Sequence, residues 1–179
     1  MDRRSFIKSA FAAALFLGAV EWPGRSSADG GYSLSMYNTH TEERLTVEYR
    51  DGQGYIPESM VKVDNFLRCH YNNEVHRIEP GLIDMLGRVD NLYGGGNTIQ
   101  VISGYRSPEY NAILASQSAG VAVNSLHTKG MAIDFRIPGV GMRDLYLKVR
   151  SLMAGGAGIY PEFVHMDVGR VRFWGNGAV

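Results

Sequence analysis

The stretch Ser125-Leu126-His127-Thr128-Lys129-Gly130-Met131-Ala132-Ile133-Asp134-Phe135 decides how the chain folds. From Gly130 onward small and large residues alternate. Met131, Ile133 and Phe135 fall on one face of a strand, and Gly130, Ala132 and Asp134 fall on the other. The first face belongs to a core; the second is small and acidic. His127 and Asp134 are seven residues apart, which along a continuous strand separates them by roughly 23 Å. That is too far to share a metal ion whose ligands each lie about 2 Å from it. The chain must therefore turn between them. Thr128-Lys129-Gly130 supplies the turn, and Gly130 and Ala132 leave room above Asp134 for a side chain arriving from elsewhere.

Toward the C-terminus, Met142, Leu145, Tyr146, Val149 and Leu152 have the spacing of an amphipathic helix. Phe163 to Val168 then reads as a strand with Phe163, His165 and Asp167 on one face and Val164, Met166 and Val168 behind. Toward the N-terminus, Thr98 to Ser103 is a β-rich run, after which Ser107 as cap and Pro108 in the first turn start a helix. Pro57 opens an earlier helix with Met60, Val63 and Leu67 on one face. Glu79-Pro80 opens another, with Leu82, Met85, Leu86 and Val89, that stops at Tyr93-Gly94-Gly95-Gly96-Asn97. This glycine run follows a helix and precedes a strand, the reverse of a phosphate-binding loop, so it is a connector. Ser33–Tyr37 and Leu45–Tyr49 alternate around a polar connection and read as a β-hairpin. A hairpin first, then irregular alternation with no repeated βαβ unit, predicts an α+β fold: a mostly antiparallel central sheet with flanking helices.

Composition narrows the function. Lys plus Arg number 18 and Asp plus Glu number 18, with no clustered basic run, which excludes a general nucleic-acid binder. Residues 1–28 carry Arg3-Arg4-Ser5-Phe6-Ile7-Lys8, an apolar run from Ala10 to Val20, and the exit Ser26-Ser27-Ala28. This is the layout of an export signal. Its apolar run is about eleven residues, short of the roughly 20 that span a bilayer, so no permanent membrane anchor is expected after removal. The twin arginines resemble the signal of the pathway that carries folded proteins across the bacterial inner membrane, which points to the periplasm of a Gram-negative-type cell. Removing the segment takes four of 18 basic and two of 18 acidic residues, leaving 14 and 16 in residues 29–179. A single cysteine, Cys69, forbids an intramolecular disulfide and a thiolate-rich metal site, and reads as a buried small hydrophobe.

Any metal must therefore use His, Asp or Glu. His127, Asp134 and His165, with a fourth position open to water, make an acceptable catalytic zinc set. Singly, either histidine is more simply an ordinary hydrogen-bonded side chain. Arg106 has a plain reading as a partner of Glu109 or a turn cap. Tyr105 and Trp174 suit either a groove lining or the core, and His40, His70 and His76 have no partner spacing that recommends them.

The block Ser125-x-His127-x-x-Gly130-x-Ala132-x-Asp134 with the later His165 resembles the LAS group of zinc peptidases, which cut bacterial cell-wall peptides. Ser103-Gly104-Tyr105-Arg106-Ser107-Pro108 with Asn111, and Phe163-Val164-His165-x-Asp167-x-Gly169, look closest to the murein endopeptidase K type. The resemblance spans Leu34 to Trp174. It implies an LAS/hedgehog-type metallopeptidase fold in residues 29–179, one Zn²⁺ held by His127, Asp134 and His165 plus water, and peptidoglycan peptides as substrate. It implies that Arg106 holds the substrate carbonyl or its developing oxyanion. For the carboxylate that assists, two positions stay open. Glu162 stands three residues before His165. Asp167 shares the face of His165 and would serve as base or as orienter of that histidine. A D-alanyl-D-alanine carboxypeptidase or dipeptidase, or a zinc-containing cell-wall-binding domain without turnover, are the alternatives to an endopeptidase. Protein partners are not legible.

Overall fold

In the computed structural model, residues 32–118 and 120–175 are described; the expected export segment lies outside them. Strands β1 (Tyr32–Asn38) and β2 (Arg44–Asp51) form the antiparallel hairpin anticipated from their alternation. Leu34, Met36, Val47 and Tyr49 point into the core. Asn38 closes the connection by accepting the backbone N–H groups of His40 and Thr41 at 3.0 and 3.2 Å. A two-residue strand, β3 (Gly54–Tyr55), continues this edge.

Helices α1 (Pro57–Phe66) and α2 (Pro80–Asn91) each begin on a proline, whose missing N–H costs nothing in the first turn. After α2 the chain reverses through Gly94, Gly95 and Gly96, all at positive φ. The buried Asp90 carboxylate ties this reversal down by accepting the N–H of Gly96 at 2.8 Å and of Asn97 at 3.1 Å. Strand β4 (Thr98–Ser103) follows, then α3 (Pro108–Gln117), capped as expected by Ser107 Oγ, which accepts the Tyr110 N–H at 3.2 Å. Strand β5 (Ala132–Arg136), helix α4 (Met142–Ser151) and strands β6 (Gly156–Ile159), β7 (Val164–Asp167) and β8 (Arg172–Gly175) complete the described chain. Strand β7 is one residue shorter at each end than the Phe163–Val168 run, and β5 begins at Ala132, two residues after the alternation does.

The eight strands make one sheet in the order β3-β2-β1-β4-β5-β7-β6-β8. Only β1·β4 and β6·β8 are parallel, so the sheet is mixed and mostly antiparallel, and the class is α+β. Helix α1 packs on β2, α2 on β1, and α4 on β6 and β7. Ile133, Phe135, Val164 and Met166 join side chains of these helices in one apolar cluster. The alternate positions of β5 and β7 are left to the opposite face. Cys69 is fully buried, as a small hydrophobe would be. Among the described residues no helix is long and apolar enough to cross a membrane.

Candidate metal centre

A 3₁₀ turn, Leu126–Lys129, carries His127. Ser125 caps it by accepting the His127 N–H at 3.3 Å, and Gly130 ends it in the left-handed region at φ 65°. A side chain at Gly130 would also run into the Arg77 carbonyl, so both backbone shape and space demand glycine there. This tight turn replaces the continuous strand and brings His127 back beside Asp134. The β5·β7 register places Asp134 directly opposite His165. Extended across the sheet, the same register forms one row: Ser103 on β4, Asp134 on β5, His165 on β7, Gly158 on β6 and Trp174 on β8.

His127 Nε2, Asp134 Oδ1 and His165 Nδ1 converge. The separations are 3.2 Å between the two nitrogens, 3.2 Å from His127 to Asp134 and 2.8 Å from His165 to Asp134. Tetrahedral zinc with bonds near 2.0–2.1 Å sets its ligand atoms roughly 3.3 Å apart, so the triangle is close to the size required. The far nitrogen of each ring is already committed: His127 Nδ1 donates to the Gly104 carbonyl at 2.7 Å, and His165 Nε2 to Asp167 Oδ2 at 3.0 Å. In the neutral rings both inward nitrogens then carry lone pairs. Two lone pairs and a carboxylate oxygen then face one another with no hydrogen between them; a proton on His165 Nδ1 would serve Asp134 alone, whereas a metal cation satisfies all three. The residues therefore fit zinc.

Burial depresses the His127 pKa, and the neighbouring Asp134 only partly offsets this. Burial likewise opposes charge on Asp134, but the two histidines prevail and hold its carboxyl well below the usual range. For His165 the hydrogen bonds and charges of Asp134 and Asp167 overcome burial and raise its pKa. Asp167, itself fully buried, is brought down to about 2: burial is outweighed by the hydrogen bonds from His165, Arg172 and the Gly169 N–H.

Arg106 pairs with Asp134 Oδ2 and donates from Nε to Ser103 Oγ at 2.8 Å. It thus holds the outer oxygen of the same carboxylate whose inner oxygen faces the histidines, rather than pairing with Glu109. Its guanidinium lines a pocket of about 430 Å³ together with His127, Asp134, His165, Tyr160, Phe163, Arg172 and Trp174. Glu162 is exposed on the turn between Tyr160 and Phe163 and does not line the pocket. Tyr105 goes to the core, its hydroxyl donating to Glu74 at 2.6 Å. Trp174 goes to the pocket, its ring 5.2 Å from that of His165. His40 stacks on His70 at 3.9 Å and His76 on Tyr105 at 4.6 Å, and none of these three histidines lines the pocket. Sequence reasoning passed over Arg172 and Tyr160. The available signal was the two-residue spacing of Arg172 and Trp174, which puts both on one face of β8.

The chain is also similar to known peptidoglycan peptidases. The family model described as Peptidoglycan L,D-endopeptidase MepK matches residues 26–174. A protein of Escherichia coli K12 named peptidoglycan L,D-endopeptidase MepK is 43% identical over 143 residues, covering 79% of each chain. The relative in Shigella flexneri bears the same name and shows the same identity and coverage. One in Haemophilus influenzae Rd, named a probable peptidoglycan L,D-endopeptidase MepK, is 42% identical over 144 residues, covering 79% of this chain and 77% of its own. No solved structure matches significantly. With nearly the whole described chain matched by the model and its relatives this similar, the protein belongs to the MepK family of peptidases.

Proposed function

We propose that the chain is a zinc-dependent murein endopeptidase that hydrolyses amide bonds in peptidoglycan stem peptides or their cross-links. The observation that carries this reading is the convergence of His127 Nε2, Asp134 Oδ1 and His165 Nδ1 beside an open pocket. The names of its relatives give the substrate class. Bound zinc would supply an activated water near neutral pH and a polarised scissile carbonyl. Arg106 orients Asp134 and offers positive charge at the pocket wall, where a guanidinium can hold the substrate carbonyl as its oxygen gains charge. Asp167 keeps the His165 ring turned so that Nδ1 faces inward. Glu162 would reach the reacting atoms only if the turn between Tyr160 and Phe163 swung its carboxylate inward. The LAS/hedgehog-type fold, export of residues 29–179 by the twin-arginine route and work in the periplasm complete the proposal.

The test is incubation of the zinc-loaded protein with purified cell-wall sacculi, followed by mass analysis. Split cross-linked dimers are expected. Loss of a single terminal alanine would make it a carboxypeptidase. No released muropeptide, with bound zinc confirmed, would leave a zinc-containing wall-binding domain.

A further inference from the structure

Arg172 stands on the pocket wall with its side chain about one third exposed. Its Nη1 donates to Asp167 Oδ1 at 3.0 Å and to the Arg170 carbonyl at 3.1 Å, and its Nη2 donates to Asp167 Oδ2 at 2.7 Å. A guanidinium has five N–H donors, so these bonds leave the Nε–H and the second Nη2–H, which lie side by side on one edge. No described residue accepts from that edge. Two parallel N–H groups are the fork that grips a carboxylate.

The fork is held rigidly. Its other edge is locked on the buried Asp167, and its carbon lies 5.0 Å from the Trp174 ring. Strand β6 makes the space: a Cβ at Gly156 would strike Asp167 and Arg172, and one at Gly158 would strike the Trp174 indole. Arg172 is also close to the metal ligands. One Asp167 oxygen stands 2.7 Å from Arg172 Nη2 and 3.0 Å from His165 Nε2, so these two nitrogens are at most about 6 Å apart. That span is between one and two residues of extended peptide, at roughly 3.3–3.6 Å each. Among the described residues lining the pocket, Asp134 is the only carboxylate, and it is occupied by Arg106 and the two histidines. An entering anion meets no free negative group.

We propose that Arg172 is a specificity-determining residue that binds a free carboxylate of the substrate peptide, carried close to the scissile amide. This rests on the peptidase reading above and adds to it the chemical group by which the substrate is selected. The carboxylate is either the peptide's C-terminus or a free acid on the residue beside the cross-link.

The test compares three cross-linked muropeptides on the zinc-loaded full-length protein: all carboxylates free, the C-terminal one amidated, and the one beside the cross-link amidated. One of the two amides should lower kcat/KM by about 10- to 100-fold, the range for a charged bidentate contact, and so identify the source. Arg172→Gln should bring all three substrates within about twofold of each other. Arg170→Gln, which removes an equal charge from an exposed neighbouring position, should leave the preference intact. The proposal is overturned if the unaltered protein treats all three alike, if Arg172→Gln keeps the preference, or if Arg170→Gln erases it equally. A purely structural Arg172, acting through Asp167 and His165, would slow all three together and keep the ratio. If the unaltered protein hydrolyses none of them, the peptidase reading fails, and the same ratios read as Kd by calorimetry decide the subsite on their own.

Discussion

At the residue scale the centre depends on what each ligand's far side is doing. Asp167 has both oxygens taken, by His165, Arg172 and two backbone N–H groups, and none turned to the pocket. Asp167→Asn should therefore weaken zinc binding by about 10–100-fold, with turnover falling alongside. Glu162→Gln should change neither by more than about twofold, since Glu162 is exposed outside the pocket. Metal content and muropeptide release under zinc saturation check both; the reverse result would place the essential carboxylate on the turn before β7. The raised pKa of His165 sets a pH dependence. Without metal, His165 holds its proton above the ordinary histidine range, and zinc must displace that proton to reach Nδ1. Asp134, depressed, remains ionised throughout and contributes no slope in this window. Zinc affinity should therefore begin to fall above the ordinary histidine range and keep falling as the pH drops through it. Chelator competition from pH 8 to pH 5 measures this, and a flat profile would show that His165 Nδ1 is not a ligand atom.

At the element scale, strands with a strict period of two were legible and those without were not. Met131 to Phe135 and Phe163 to Asp167 gave the right faces, because large apolar residues alternate with small or polar ones. The turn at Thr128-Lys129-Gly130 was legible because two candidate ligands seven residues apart would require one. Strand β6, Gly-Ala-Gly-Ile, was hidden: glycine has low strand propensity and normally signals a loop. Its glycines are there for close packing, which becomes visible only once β8 lies beside it. Gly158→Ala should push the Trp174 indole into the pocket. The expected outcome is retained zinc with kcat/KM lowered by about tenfold or more, as displaced pocket walls misplace substrate. Steady-state kinetics with metal analysis would show it; unchanged kinetics would mean that Trp174 takes no part in binding.

At the scale of the whole molecule, the candidate metal centre joins parts of the chain that are remote in sequence, so bound zinc should stabilise the entire fold rather than one loop. Zinc at about a thousand times its Kd adds roughly 4 kcal/mol if it binds only the folded state. For a domain of this size that raises Tm by on the order of 10 °C. Scanning calorimetry with zinc and with chelator tests it; equal melting temperatures would mean that the metal binds the unfolded chain as well or does not bind. The row of Ser103, Asp134, His165, Gly158 and Trp174 has a broader consequence. Sliding any one of these strands by a single position turns its contribution to the opposite face of the sheet. The same slip would turn Ile133 and Phe135, or Val164 and Met166, out of the core, so the apolar cluster and the candidate ligand set are aligned by one register. Metal uptake and core formation should therefore be lost together: a one-residue deletion within β5 or β7 is expected to give a chain that takes up no zinc and has lost its cooperative melting transition, so that bound zinc would mark the molecules that have zipped up correctly.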